Sequence, residues 1–471
     1  MERLHKVGQI VPKHSENIKD SKMGIGFEKL DRDVFDPEKA YDRVAELGVK
    51  WVRLQSGWQK TERQKGVYDF AWLDKIVDNL LRRGLRPWIC LCYGNDLYNE
   101  EAKEIFGAVG CVPIRNEAQK TAWKNYVTAL VRHFRGRVTH YEVWNEPDCQ
   151  NSWRSEKETA GHDLGVFTRE TGLAVKAADP DAKVIGGVLG QRDIHFPNAA
   201  FAAGMGDAID YLSFHEYTHD ETLVFERVDA LRALAKSYNP KIEIIQGESG
   251  SQSRSGGNGA VHTGAWTPEK QAKQLLRHAM ADLLSDVYFT SYFSCMDMIE
   301  ALNGRVGDVS SYLDFGYFGV LGADFDENGK CVGSYTPKKS YYALQNLCSV
   351  FAEGCELCKL PVLFMPEASP RTFGTDEPKN RVITGGFRRP TGDALVFWYP
   401  SNIMTSSFES TITLDICSKY DKVRLADLTD GAIYELPESI LSEDAFGTYH
   451  IKNLPIKDTP MLLTFGDFLN Q

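Results

Sequence analysis

The sequence predicts a (β/α)8 TIM barrel with a C-terminal all-β, sandwich-type accessory domain, and three observations carry that expectation. From about residue 22 to residue 350, short apolar runs alternate with longer stretches of helical periodicity, the pattern of βαβ units around a parallel sheet. Eight such runs can be marked, at residues 23–27, 51–54, 87–93, 138–144, 184–188, 211–215, 242–247 and 287–293, the number that closes a barrel. After about residue 351 the texture changes to short runs separated by turn residues, as in an all-β fold. The expected division is residues 1–21 as an N-terminal extension, 22–350 as the barrel and 351–471 as a β-sandwich.

Each element has a local reason. The run Trp88-Ile89-Cys90-Leu91-Cys92 is apolar without alternation, which suits a strand covered on both faces. Leu73, Ile76, Val77, Leu80 and Leu81 recur at helical spacing and Gly84 ends their helix. Asn116 can cap a helix that carries Trp123, Tyr126, Val127, Leu130 and Phe134 on one face. Thr267-Pro268 places an N-cap before a proline at the first helical position, and Pro337 is read the same way before a helix over 340–350. In the β region, runs stand at 382–387, 394–399, 411–416, 423–428, 432–436 and 461–465. Asp430-Gly431 is a hairpin signal between two of them, and Pro366, Pro370 and Pro378 punctuate its start. Residues 7–11 can add an edge strand to that region.

Composition narrows the function classes. With 42% hydrophobic and 25% charged residues among 471, the chain can build a large core. Its net charge of -11 argues against nucleic acid, which needs a basic face. No run approaches the roughly 18–20 apolar residues of a membrane span, so no membrane partner is expected. Met1 to Ser21 carries charges throughout and no apolar core, and the ten cysteines form no framework of spaced pairs. Both point to a cytoplasmic protein with reduced thiols. Cys355-x-x-Cys358 lacks the second pair of a metal site and reads as structural.

Two of the apolar runs end at an acid: Tyr141-Glu142-Val143-Trp144-Asn145-Glu146-Pro147 and Ile242-Glu243-Ile244-Ile245-Gln246-Gly247-Glu248-Ser249. In a barrel of this type functional residues sit at the C-terminal strand ends, so Glu146 and Glu248 share a rim. Two carboxyl groups facing each other across a cleft are the machinery of glycoside hydrolysis. Glu146 is the expected general acid and base, and Glu248 the expected nucleophile. Pro147 predicts an extended backbone at Glu146. Arg53 and His215 can keep Glu248 ionised, and Tyr217 can donate a hydrogen bond to it. Asn145 can bond the sugar 2-hydroxyl. Tyr93, Asn95 and Tyr292 complete a rim of polar and aromatic groups suited to a sugar, with Asp96, Gln191 and Asp297 beside them. Trp58, Trp153 and Trp266 fall in loops, where they either stack on sugar or fill gaps. Glu216 reads as a salt-bridge residue. His215, His219 and Asp220 are badly spaced for a metal, so neither metal nor cofactor is expected.

At these residues the sequence resembles a known family. Trp144-Asn145-Glu146-Pro147 resembles the acid/base motif of the retaining clan A glycoside hydrolases. The stretch 167–187, with Ala178-Asp179-Pro180-Asp181-Ala182-Lys183, is similar to glycoside hydrolase family 39, the family of β-xylosidases and α-L-iduronidases. His215-Glu216-Tyr217 matches that family's sixth-strand His-x-Tyr, and Gly66-Val67-Tyr68-Asp69-Phe70 is similar to an early segment of the superfamily. The chain departs from the pattern after Glu248, where Ser249-Gly250 replaces an aromatic residue. It departs again at the eighth strand, which has no tryptophan; Tyr292, Phe293 or Trp266 would have to supply the aromatic floor. The resemblance implies a retaining glycosidase, and the deep rim loops 95–113 and 251–266 are expected to block one end of the cleft, which favours exo action on short oligosaccharides. A transglycosylase using the same residues and a catalytically silent carbohydrate-binding protein are the alternatives. The expected partner is a carbohydrate substrate; the sugar, and whether the chain is a monomer or a homo-oligomer, stay open.

Overall fold

A computed structural model describes residues 4–365, 382–405 and 407–469; Pro366, Pro370 and Pro378 lie outside these described residues. The eight barrel strands are Met23–Gly26, Trp51–Gln55, Arg86–Leu91, His140–Val143, Lys183–Leu189, Tyr211–Glu216, Glu243–Ser249 and Thr290–Tyr292. They pair in parallel in that order, and the eighth pairs with the first to close the barrel.

The first half of each strand fills the barrel. Trp51, Trp88, Ile185, Tyr211, Ile245 and Phe289 form one buried cluster, with the Trp51 and Phe289 rings stacked at 4.7 Å. Alternate residues of a strand share a face, so Arg53 and Gln55 stand above Trp51 on the inward face of the second strand. A packed aromatic floor thus leaves the C-terminal mouth to polar side chains.

The outer helices follow the predicted signals. Helix Ala71–Arg82 buries Leu73, Ile76, Val77 and Leu80. The Asn116 side chain accepts the Gln119 N–H at 3.0 Å to start helix Glu117–Phe134, and Thr267 accepts the Lys270 N–H at 3.3 Å at the start of Pro268–Leu284. Pro337 differs from expectation. It is the last residue of strand Cys331–Pro337, paired opposite Leu321, and helix Lys339–Val350 begins after Lys338 without a side-chain cap. At the end of a two-stranded ribbon a missing N–H costs little, which is where a strand tolerates proline.

The C-terminal region is a sandwich. Its seven-stranded sheet runs His5–Gln9, Ala432–Glu435, Arg424–Asp427, Met461–Gly466, Gly392–Trp398, Ile383–Arg389 and Glu356–Cys358. A four-stranded sheet of Val362–Phe364, Glu409–Cys417, Thr448–Lys457 and Leu441–Glu443 covers one face. The central strand shows the two-residue period: Leu395 and Phe397 enter the sandwich core, whereas Val396 and Trp398 pack into the barrel's core. Strand Thr448–Lys457 was not predicted; it carries Asn453 and Pro455, residue types seldom found in strands. It accommodates them with a register shift opposite 412–414, where Asn453 takes a φ of 53°.

The sandwich is anchored to the barrel by buried polar groups. The Glu221 carboxylate accepts the Trp398 indole N–H at 2.8 Å and pairs with Arg277 at 2.6 Å, and Arg277 also donates to the Ser401 carbonyl at 2.9 Å. Lys273 pairs with Asp458 at 2.6 Å. Among the described residues no helix is long and apolar enough to cross a membrane. Arg277→Leu leaves Glu221 buried without its cation, and the expected cost is about 3–5 kcal/mol. Thermal unfolding checks this: the variant should melt well below the wild type, and an unchanged melting temperature would mean the pair anchors nothing.

Candidate active site

Glu146 and Glu248 meet at the mouth, and backbone irregularities bring them there. Ile245 faces the barrel floor and Gly247 the mouth, so strict alternation would turn Glu248 outward. Instead the pairing jumps from Phe214–Gln246 to His215–Glu248, a bulge at Gly247 that returns Glu248 to the inward side. A side chain at 247 would come within 2.5 Å of Ser213 Oγ and 3.0 Å of His215 Nε2, so the bulge needs glycine. Glu146 lies beyond the fourth strand's end, its N–H donating to the Val188 carbonyl at 3.1 Å. Its φ is 48°, and that of Trp144 is 69°. The extended backbone expected from Pro147 is therefore absent. Tertiary bonds hold Glu146 in the left-handed region that non-glycine residues seldom enter.

Around the pair, one guanidinium is central. Arg53 is fully buried. Its Nη1 donates to Glu248 Oε1 and, at 3.5 Å, faces Glu28 Oε1. Its Nε donates to Glu142 Oε1 at 2.8 Å, and its Nη2 to the same oxygen and to Asn145 Oδ1 at 2.8 Å. The Tyr217 hydroxyl donates to Glu248 Oε2 at 2.7 Å. His215 Nδ1 lies 2.9 Å from Glu146 Oε1 and 3.5 Å from Glu248 Oε2. Carboxylate oxygens of Glu146 and Glu248 approach within 4.8 Å of each other.

The electrostatics act on Glu248 and on His215. Burial alone would raise the Glu248 pKa, but His215, Arg53, the Tyr217 hydrogen bond and Lys29 outweigh it and hold Glu248 below the usual carboxylate range. Burial likewise works against a charge on His215, but the two carboxylates beside it raise its pKa above the ordinary value. Glu146, His215 and Glu248 are also the cluster among the described residues whose atoms could surround a metal ion. His219 and Asp220 turn elsewhere, to the Thr263 carbonyl at 3.0 Å and the Thr222 N–H at 3.0 Å.

Several predicted sugar contacts are engaged away from the pair. Asn95 is fully buried; its amide donates to the Glu62 carbonyl at 2.9 Å and its oxygen accepts the Leu97 N–H. Trp58 is buried between Tyr98 and Tyr126 and donates to Glu62, so it is core rather than loop. Trp153 packs on Trp144 and Phe167. Trp266 stacks on His219 at 5.4 Å and donates to the Val261 carbonyl. The Tyr292 hydroxyl donates to the Phe318 carbonyl at 3.0 Å. Gln191 donates to Cys149 Sγ, and Asp297 pairs with Lys338 at 2.6 Å. Glu216 accepts from Arg227 and Arg192, as a salt-bridge residue should. Tyr93 stays close, its ring 5.5 Å from that of Trp144. The aromatic surface beside Glu248 is made by Tyr217, Phe293 and Phe318.

Sequence reading missed Glu28, Lys29, Glu142 and Glu300. Glu28 gave the same signal as Glu248, an acid directly after an apolar run. Glu142 was an acid inside one. Lys29 bonds the Ile299 carbonyl at 2.9 Å and Glu300 at 3.3 Å, a pairing between strand ends far apart in sequence.

Burial, with a push from Glu248 against the pull of Arg53, raises the Glu28 pKa to about 8 from 4.5. The folded protein therefore holds a proton that the unfolded chain releases above about 4.5, and stability falls as pH rises from there to about 8. Glu28→Gln lacks this proton. The melting temperature of the wild type relative to that variant should drop steadily between pH 5 and pH 8, and a pH-independent difference would contradict the assignment.

Comparison with known proteins gives the same picture. The family description "Glycosyl hydrolases family 39" matches residues 39–240. A β-xylosidase of Geobacillus stearothermophilus is 29% identical over 163 residues, covering 33% of this chain and 31% of the relative's own length. The structure of a family 39 glycoside hydrolase from Bacteroides cellulosilyticus WH2 aligns with a TM-score of 0.62 at 17% identity, over 94% of this chain and 80% of that one. A monomeric β-xylosidase from Caulobacter crescentus CB15 aligns with a TM-score of 0.59 at 16% identity over 98% of both chains. At these identities the structural matches speak to the fold: a barrel joined to a β-sandwich. In the sequence of its barrel and in its architecture, the chain is similar to the glycosyl hydrolases of family 39.

Proposed function

We propose that the protein is a retaining, exo-acting glycoside hydrolase that works by double displacement. The observation that carries this reading is that Glu146 and Glu248 face one another closely enough for an oxygen of each to lie within 4.8 Å of the other. Retaining enzymes hold their carboxyl groups about 5–5.5 Å apart, and inverting enzymes about 6.5–9.5 Å, to admit a water. Glu248, ionised by its buried cations, attacks the anomeric carbon. The contact between Glu146 and His215 holds a proton one hydrogen bond from the leaving oxygen. Glu146 delivers it as the glycosidic bond breaks, then takes a proton from the water that releases the glycosyl-enzyme. Asn145, its oxygen fixed by Arg53, offers its amide nitrogen to the sugar 2-hydroxyl.

Two loops support exo action. Loop 95–113 is tied across the mouth: the Phe106 N–H donates to the Gly304 carbonyl at 3.0 Å and its ring stacks on Tyr312 at 4.3 Å. Loop 251–266 is tied down by Ser253 and Asn258, whose N–H groups donate to the Tyr317 and Phe315 carbonyls. Loops held in these places would block one end of the cleft, which favours removal of a terminal sugar. The similar proteins named as β-xylosidases make β-xylosides the first substrates to try.

Nitrophenyl glycosides test the assignment. Glu248→Ala should lose at least about a thousand-fold in turnover, the scale of a lost nucleophile, with azide partly restoring it to give an inverted product. Glu146→Ala should lose roughly 10²–10⁴-fold on poor leaving groups and far less on good ones. Near-wild-type rates in Glu248→Ala would remove the nucleophile, and equal losses on both leaving groups would remove Glu146 from the acid role.

A further inference from the structure

The Arg53 guanidinium has five N–H bonds, and the structure accounts for each. Two go to Glu142 Oε1, one to Asn145 Oδ1, one to Glu248 Oε1, and one faces Glu28 Oε1. Glu142 takes the largest share, yet it has no access to a substrate. It is fully buried inside the fourth barrel strand, below Asn145 and Glu146, and its Oε2 has no hydrogen-bond partner among the described residues. All of its bonding capacity in use is spent on Arg53. An unpaired acid there would be costly to bury, and an apolar residue would suit the strand better. The arrangement therefore calls for a role acting through the arginine.

We propose that Glu142 is a positioning residue: it fixes the guanidinium plane so that one N–H edge faces Glu248, and it takes up part of the arginine charge that would otherwise bear on the nucleophile. The inference rests on the assignment of Glu248 as nucleophile. A carboxylate fully claimed by a buried arginine would be easy to ionise but a poor attacking group. Sharing the cation between two carboxylates keeps Glu248 ionised while leaving its oxygens reactive. The electrostatic order agrees: burial opposes the Arg53 charge, and Glu142 does more to sustain it than Glu248 or Glu28.

Other charged and titratable groups face the same point. Glu28 and Lys29 approach from the first strand, and Cys90 lies beneath from the third. Glu146 stands above on the fourth-strand loop. His215 and Tyr217 come from the sixth strand and its loop, and Glu300 follows the eighth. None of them bonds Arg53 at two nitrogens. Neutralising Glu142 alone therefore changes how much of the cation Glu248 receives and leaves the other groups in place.

Glu142→Gln removes the charge and keeps an acceptor oxygen for Arg53. The expected result is an acidic limb of the kcat/KM profile lower by about one pH unit, because the whole cation now favours ionised Glu248. With it, kcat should fall at least tenfold, and KM should change less than threefold. Glu142→Asp, which keeps the charge, should leave the limb near its wild-type position. If the glutamine variant does not fold, Glu142→Asn against Glu142→Asp makes the same comparison of charge. Carbon-13 NMR titration of the Glu248 carboxyl reads the same shift without turnover, so a protein that cleaves no test glycoside still answers the question. An acidic limb or carboxyl titration that stays in place, or moves upward, in the neutral variant would overturn the proposal.

Discussion

The mouth of this barrel is organised by one buried cation. Arg53 stands above a floor of aromatic side chains and binds groups from the first, fourth and seventh strands or the segments following them. A guanidinium in such a place is stable only if every N–H is met and enough negative charge surrounds it. The surrounding acids depend on Arg53 in turn. Among the described residues Glu142 has no other partner, and His215, Arg53 and Tyr217 together hold Glu248 below the usual carboxylate range against its burial. Burial raises the Glu28 pKa to about 8, so it asks less of the arginine. Removing the arginine would leave Glu142 and Glu248 without their common counter-charge.

The rest of the fold serves that constraint. The Gly247 bulge turns Glu248 inward, and the Val188 carbonyl fixes Glu146 opposite it. Loops from the third and eighth strands lock together across the mouth. The sandwich lies outside this arrangement, fastened to the barrel through Glu221, Arg277 and Trp398. A cavity of about 780 Å³ lies elsewhere, along the helices containing Trp123 and Phe167 on the barrel's outside.

The barrel was legible because its strands are short apolar runs, and those runs end where the fold ends them to within a few residues. That Glu146 and Glu248 face one another was legible because a polar residue closing such a run has few reasons to be there. What failed has physical causes. Trp58 was read as a loop residue and Asn95 as a rim group, but both are buried against Tyr98 and Glu62 through contacts that periodicity does not encode. The effect of Pro147 on Glu146 was a local preference overridden by tertiary bonds. Strand Thr448–Lys457 went unmarked, and it carries Asn453 and Pro455 in a bulge that breaks the alternation. The bulge at Gly247 left no trace in the pattern, although it decides which way Glu248 points. Glu142 was visible in the motif, and only the structure gave it a partner.

The measurement that bears most directly on this reading is the anomeric configuration of the first product. Proton NMR can follow the sugar released from a nitrophenyl glycoside before mutarotation blurs the two forms. Close carboxylates and a covalent glycosyl-enzyme predict that the first anomer seen has the configuration of the substrate. Release of the opposite anomer would contradict it, placing a water where Glu248 is proposed to attack.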